Sequence, residues 1–316
     1  MPSWVLVGPG DDAAVIEPER GTLEVLTTDA LVEGIHFDTR FVPPDAVGHR
    51  ALAVNLSDLA AMGAHPRAAL LSLMLPPATD VAAVDGLLDG LLELAATHRV
   101  ALIGGNITRS PGPFIVDVTA IGAIRPRRVL TRSGARPGDA VYVTGSLGDA
   151  AVGLRALQQA VHDAMGTVHA CAPRGRERYL RPEPRVRAGM LLGRNRAATS
   201  CMDLSDGLAD AVRQVCAASG VGMRIDADAL PIGEEVRAWH REHGGDPIET
   251  ALAGGDDYEL LFTVKPASRG RFRAVQQQLG NLPITRIGEV TKGLDVLIAD
   301  AHHGARPLSS GFEHFR

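Results

Sequence analysis

The chain has 316 residues, of which 45% are hydrophobic and 22% charged, enough for two ordinary soluble domains with a core that folds without disulfide or metal staples. A net charge of −5 excludes a whole-protein basic field that would recruit nucleic acid or an anionic membrane. Aromatics are 4%, which leaves few platforms for stacking on single-stranded nucleic acid.

Residues 1–125 read as a first α/β unit. A β-prone run at 23–28 precedes a stretch at 43–62 with apolar residues at helical spacing, including Ala46, Ala53, Leu56, Leu59 and Met62. Residues 67–75 form an apolar run closed by Pro76-Pro77 and predict a strand. A leucine-rich helix follows at 81–97, then strands at 100–103 and 114–124. Residues 125–139 are dense in Arg, Pro and Gly and mark a boundary. The second unit, 126–316, opens with a strand at 140–144 that meets Gly145-Ser146-Leu147-Gly148-Asp149 and a helix to about Gln159. Residues 163–185 read as loop with a short helix. Residues 198–202 lead into Asp203-Leu204-Ser205-Asp206-Gly207 and a helix to Ala218, after which strands and helices alternate to Ile298. The mixture places the fold in the α/β or α+β class.

The three cysteines, Cys171, Cys201 and Cys216, form no CxxC pair, which suits a reducing compartment. No apolar run approaches the ~20 residues of a membrane span, and Met1–Val5 lacks the regions of a secretory signal. The expectation is a soluble cytoplasmic protein.

Five acidic motifs stand out: Gly10-Asp11-Asp12, Thr27-Thr28-Asp29, Asn55-Leu56-Ser57-Asp58, Asp203-Leu204-Ser205-Asp206-Gly207 and Gly254-Gly255-Asp256-Asp257. None has a Lys or Arg within two positions. Carboxylates brought together repel unless a cation sits among them, and an all-oxygen donor set favours a hard divalent ion. Each motif alone also reads as a helix cap or a tight turn, with Ser205 or Asp206 capping the helix that follows. Five in one chain favour metal. Gly104-Gly105-Asn106 follows an apolar strand, where it suits either an anion-binding backbone or a plain turn.

Standard nucleotide and hydrolase motifs fail. There is no Gly-x-x-x-x-Gly-Lys-Ser/Thr, and the two lysines, Lys265 and Lys292, are not in glycine-rich loops. Gly8-Pro9-Gly10 lacks the third glycine of a dinucleotide fingerprint. No HExxH, kinase catalytic-loop triplet or nucleophile elbow is present.

The order of VGPGDDAAVI, LTTDALVEGIHF, ALAVNLSDLAAMGA, LIGGNITRS, LTRSGARPGDAVYVTGSLGDAAVGL, CMDLSDGLAD, GGDDYELLFTV and the terminal GFEHF resembles the thiamine-monophosphate kinase family over nearly the whole chain. That family is similar in fold to aminoimidazole ribonucleotide synthetase, selenide water dikinase and the hydrogenase-maturation dehydratase. The resemblance implies two α/β domains, with an N-terminal sheet forming a barrel-like homodimer interface. It implies transfer of a phosphoryl group from ATP to thiamine phosphate, assisted by several Mg²⁺. Such a nucleophile is already an ionised phosphate oxygen, so no general base is needed, only positioning and charge neutralisation.

Carried over motif by motif, the resemblance makes Asp12, Thr27, Thr28, Asp29, Asp58, Asn106, Asp203 and Asp206 metal ligands, with Asp29, Asp58 and Asp203 central to catalysis. Gly105, Asn106, Arg132, Ser205 and His98 would hold ATP. His36, Asp256 and Phe312 would hold thiamine phosphate. Each has a plainer competitor: His36 as a partly buried core histidine, Arg132 as a linker arginine, Thr27 as a strand residue, Phe312 as a tail anchor. Asn106 stands where many members have Asp, Asp256 where Glu is usual, and His98 where a Tyr packs on adenine. The chain also begins downstream of a Gly-Glu-Phe stretch and helix common in the family. Two alternatives stay open: an ATP-dependent enzyme of the same fold with another acceptor, and a nucleotide-binding protein without catalysis.

Overall fold

The computed structural model describes residues 1–162, 172–301 and 304–308. A short antiparallel pair, β1 (Val5–Val7) and β2 (Val15–Ile16), precedes a four-stranded sheet made of β3 (Leu23–Val32), β4 (His65–Leu75), β5 (Ala101–Arg109) and β6 (Ile115–Ile124). Its order is β3-β6-β4-β5. β4 and β5 run parallel and the other neighbours antiparallel. The parallel pair requires a crossover, which α2 (Val81–His98) supplies.

Helix α1 (Pro44–Ala61) carries proline at its first position and is buried on nearly every side. Its buried residues fall on every side and include the polar Arg50, Asn55 and Ser57, as suits a central helix. The α1–α2 contact depends on glycine: a Cβ on Gly48 would lie 1.8 Å from the Leu87 carbonyl oxygen, and one on Gly90 1.8 Å from that of Asp45.

The second sheet comprises β7 (Ala140–Thr144), β8 (Ser200–Asp203), β9 (Gly222–Asp226), β10 (Leu260–Val264), β11 (Ile284–Thr291), β12 (Val296–Asp300) and β13 (Gly304–Pro307) in the order β13-β12-β9-β11-β7-β10-β8. Among the described strands of this sheet only β9 and β12 pair in parallel, and in the first sheet only β4 and β5, so the α+β description is the better of the two. Around it lie α3 (Asp149–His162), α4 (Pro173–Leu180), α5 (Val186–Arg194), α6 (Leu208–Ser219), α7 (Glu234–His243), α8 (Pro247–Ala253) and α9 (Arg269–Leu279). The short helix expected within 163–185 is α4; residues 163–171 lie outside the described part. One hydrophobic cluster joins both units, running from Leu52 and Leu56 of α1 to Leu192 of α5 and Phe262 of β10. Among the described residues no helix is long and apolar enough to cross a membrane.

Candidate active site

β3 alternates its side chains, so Thr27 and Asp29 point to one face and Thr28 to the other. Thr27 and Asp29 face α1: the Thr27 hydroxyl donates to the Asp58 carboxylate. Ser57, one residue before Asp58, donates its hydroxyl to Asp203 Oδ2 at 2.7 Å. That bond joins α1 to the end of β8, across the two domains. Asp29, Asp58, Arg132, Asp203, Ser205 and Asp206 line a cleft of about 610 Å³. His36, Tyr179, Asp256 and Tyr258 line the same cleft. Arg132 is exposed but anchored on α6, its Nη1 2.5 Å from Gln214 Oε1.

Neither Ser205 nor Asp206 caps α6. The N-cap is Gly207, at φ 91°, with no side-chain cap bond. The capping alternative is therefore corrected, because the chain needs a left-handed residue where the cap falls.

Thr28 belongs to another surface. Its hydroxyl lies 2.9 Å from Asp117 Oδ1 and 3.1 Å from Thr119 Oγ1. Asp117 and Thr119 line a second cavity of about 680 Å³ with Asp11, Asp12, Gly105 and Asn106. The turn alternative for Gly104-Gly105 gives way here: both lie inside β5. A Cβ on Gly105 would stand 1.8 Å from the Leu71 carbonyl oxygen of the neighbouring strand. The glycine is thus a packing requirement of the sheet.

His98 meets neither group. It lines a third cavity, of about 880 Å³, with Arg99, Arg125 and Arg128, and burial disfavours its charged form. Phe312 lies outside the described residues.

The cleft carboxylates are electrostatically strained. Asp29 is pushed up to about 7, first by burial and then by repulsion from Asp58. Asp203 is also pushed up to about 7, by burial and then by Asp58. Asp58 itself is raised by burial, with Thr27 and Arg132 opposing the shift. Such a cluster ionises fully at neutral pH only if a cation joins it.

Magnesium fits this donor set. Among the described residues no three His, Cys, Asp or Glu side chains stand close enough to hold an ion by themselves. Mg²⁺ ordinarily takes one or two carboxylates and completes its octahedron with water and phosphate oxygens. Asp29, Asp58, Asp203 and Asp206 could supply those carboxylates.

Sequence reasoning missed Asp117, Thr119, Tyr179, Tyr258 and Arg50. Asp117 and Thr119 alternate with apolar residues along β6, a period that marks a polar face. Arg50 is an arginine beside the apolar residues Ala51, Leu52 and Ala53 of a helical run, and it is only 1% exposed.

The comparisons agree with this architecture. Residues 10–124 match the AIR synthase related protein N-terminal domain and residues 136–299 the corresponding C-terminal domain. The thiamine-monophosphate kinase of Salmonella typhimurium is 40% identical, over 98% of this chain and 92% of the relative. That of Bacillus subtilis is 36% identical, over 99% and 95%. The crystal structure of thiamine-monophosphate kinase from Stenotrophomonas maltophilia is 40% identical with a TM-score of 0.83, covering 94% of this chain and 91% of that one. A ThiL structure complexed with AMPPCP and TMP is 32% identical with a TM-score of 0.78, covering 92% and 88%. Hydrogenase maturation protein HypE, at 21% identity and a TM-score of 0.77, shares the fold. With both of its domains matched and close relatives along nearly its full length, the chain belongs to the thiamine-monophosphate kinase family of AIR synthase related proteins.

Proposed function

We propose that the chain is an ATP-dependent kinase that phosphorylates thiamine monophosphate to thiamine diphosphate. One observation carries this reading: oxygen-only ligands from both domains, Asp29 and Asp58 against Asp203, Ser205 and Asp206, converge in the cleft that also holds His36 and Asp256. Bound Mg²⁺ would neutralise the charge of two phosphate chains that must meet in line. Arg132 and Ser205, which line the same cleft, would contact the ATP phosphates. His36 Nδ1 accepts the Val32 amide at 3.1 Å, so the neutral ring keeps its proton on Nε2, as a donor for an anionic substrate. No step requires a general base. The cytoplasm is the expected compartment, and units 1–125 and 126–316 are the working domains.

The second cavity is explained by a homodimer. β3 and β5 are the two edges of the N-terminal sheet, about 14 Å apart at three strand spacings. Both edges are long and carry exposed apolar side chains, Leu26 at 64% and Ile107 at 68%. Long uncovered edges seek a partner. A two-fold partner setting its β5 against this β3 closes an eight-stranded barrel, and makes the reciprocal contact at the other edge. The partner's Gly105 and Asn106 then come alongside Thr28 and Asp29. Asp12, which lines the same cavity as Asn106, comes with them as a further metal ligand.

The test is direct. Purified protein with ATP, Mg²⁺ and thiamine monophosphate is expected to form thiamine diphosphate, measured by chromatography. Formation should stop with EDTA and in Asp29→Ala. ADP release without thiamine diphosphate would favour a different acceptor. ATP binding without ADP release would indicate a protein that has lost catalysis.

A further inference from the structure

Arg50 is the least expected charge in the molecule. It lies in the centre of α1 with 1% of its surface exposed. Burying a guanidinium is costly unless its partners are well placed, and a leucine would fill a helix interior more simply. Each of its partners borders the substrate end of the cleft. Nη1 donates to the Tyr179 carbonyl, and the guanidinium carbon lies 4.3 Å from the centroid of the Tyr179 ring. Nη2 lies 3.2 Å from Asp256 Oδ1 and 3.5 Å from the His36 carbonyl oxygen. The Tyr179 hydroxyl lies 3.3 Å from the same His36 oxygen.

Asp256 is held in an uncommon way. Its φ is 66° and that of Tyr258 is 49°, left-handed values that persist in non-glycine residues only where the surroundings enforce them. The Asp256 amide donates to the Ser205 carbonyl at 2.8 Å and the Tyr258 amide to the Leu204 carbonyl at 2.9 Å. The Tyr258 hydroxyl lies 3.0 Å from Asp256 Oδ1. Oδ1 therefore receives two fixed donors, from opposite domains. No hydrogen bond to Oδ2 is found among the described residues, and 31% of the side chain is exposed.

We infer that Arg50 is a positioning residue for the thiamine end of the site. Together with Tyr258 it locks Oδ1 of Asp256 so that Oδ2 faces the cleft as an acceptor for an amino group or cationic ring. Through the His36 carbonyl it fixes the loop that carries the His36 imidazole. The inference rests on the kinase reading, because it assigns which substrate end Asp256 meets. It also suits an Asp at this position: Asp tolerates the left-handed region better than most side chains, and the two donors set the direction of its short carboxylate.

The test is steady-state kinetics on Arg50→Lys, Arg50→Gln and Tyr258→Phe, varying each substrate in turn, with thermal midpoints measured alongside. Arg50→Gln is expected to raise KM for thiamine monophosphate about tenfold or more, the usual size of one lost charge-assisted hydrogen bond. KM for ATP and kcat at saturation should stay within about twofold, if only substrate positioning is lost. Arg50→Lys should recover part of the loss, because it keeps the charge but not the fork. Tyr258→Phe should raise the same KM several-fold, and it serves if the Arg50 variants fail to fold. An unchanged KM for thiamine monophosphate beside a lowered thermal midpoint would overturn the inference and leave Arg50 a purely structural tie. Equal rises in both KM values would also overturn it. A wild-type protein that makes no thiamine diphosphate would instead remove the kinase reading, and this inference with it.

Discussion

The interdomain cleft and the cavity at the β5 edge hold the same kind of residue under opposite conditions. In the cleft, Asp203 is 4% exposed and shares its surroundings with Asp58 and Asp29. At the β5 edge, Asp11, Asp12 and Asn106 stand open to solvent. Buried carboxylates raise one another's affinity for protons and await a cation. Exposed ones are already hydrated, and in the proposed dimer they would join a metal site only when the partner's surface encloses them. In the proposed homodimer, that contrast makes one protomer the bearer of two half-sites rather than one whole site.

The largest expected effect breaks the cleft half. Asp58→Asn should lower kcat by about 10²–10³, the scale for removing a group that stabilises transition-state charge. The metal-free fold should keep or raise its thermal midpoint, because repulsion on Asp29 and Asp203 is relieved. A variant that loses activity only because it unfolds would contradict this. Asp12→Asn, in the open half, should be milder, about tenfold, and should show as a higher Mg²⁺ requirement with an unchanged thermal midpoint. Equal effects of the two variants at saturating Mg²⁺ would erase the distinction between the halves.

A smaller effect sharpens the comparison from a buried acid outside the metal cluster. Asp257 is pushed up to about 8, chiefly by burial, with Asp149 and Glu259 adding repulsion against the Gly148 amide and Arg178. Its folded form therefore holds a proton that the unfolded chain has already lost above about pH 4. Its contribution to stability is greatest in acid and declines as pH rises towards about 8. Asp257→Asn, which retains an acceptor for the Gly148 amide, should flatten the fall of thermal midpoint between pH 5 and 8 by a few degrees. An unaltered slope would show that Asp257 does not titrate in this window.

The sequence carried the elements well because their signals are local. The apolar spacing at 43–62 became α1 and the leucine-rich stretch became α2. The run at 67–75 became most of β4, and the run at 140–144 became β7 itself. Gly104-Gly105 left a turn and an anion-binding backbone both open, because a glycine pair suits either, whereas here the pair lies inside β5 and Gly105 lets that strand approach β4. The acidic motifs marked candidate residues, but not which of them share a cavity. Sheet order decides that, and β4 pairs with a strand that arrives only after a crossover helix. Strand alternation alone separates Thr27 and Asp29 from Thr28. Nothing local reveals that Asn106 lies on the opposite edge from Asp29. Arg50 was hidden because its partners, at His36, Tyr179 and Asp256, are scattered along the chain.

The two-halves account is tested most directly by mixing two differently tagged variants, Asp29→Ala and Asn106→Trp, as coexpressed dimers. Each alone should be inactive, one lacking the cleft ligand and the other blocking the β5 edge. Random mixing gives heterodimers with one intact site, so about a quarter of wild-type activity should return. A mixture as inactive as its components would place both residues in one protomer's site, and full activity of Asn106→Trp alone would remove the β5 edge from the site altogether.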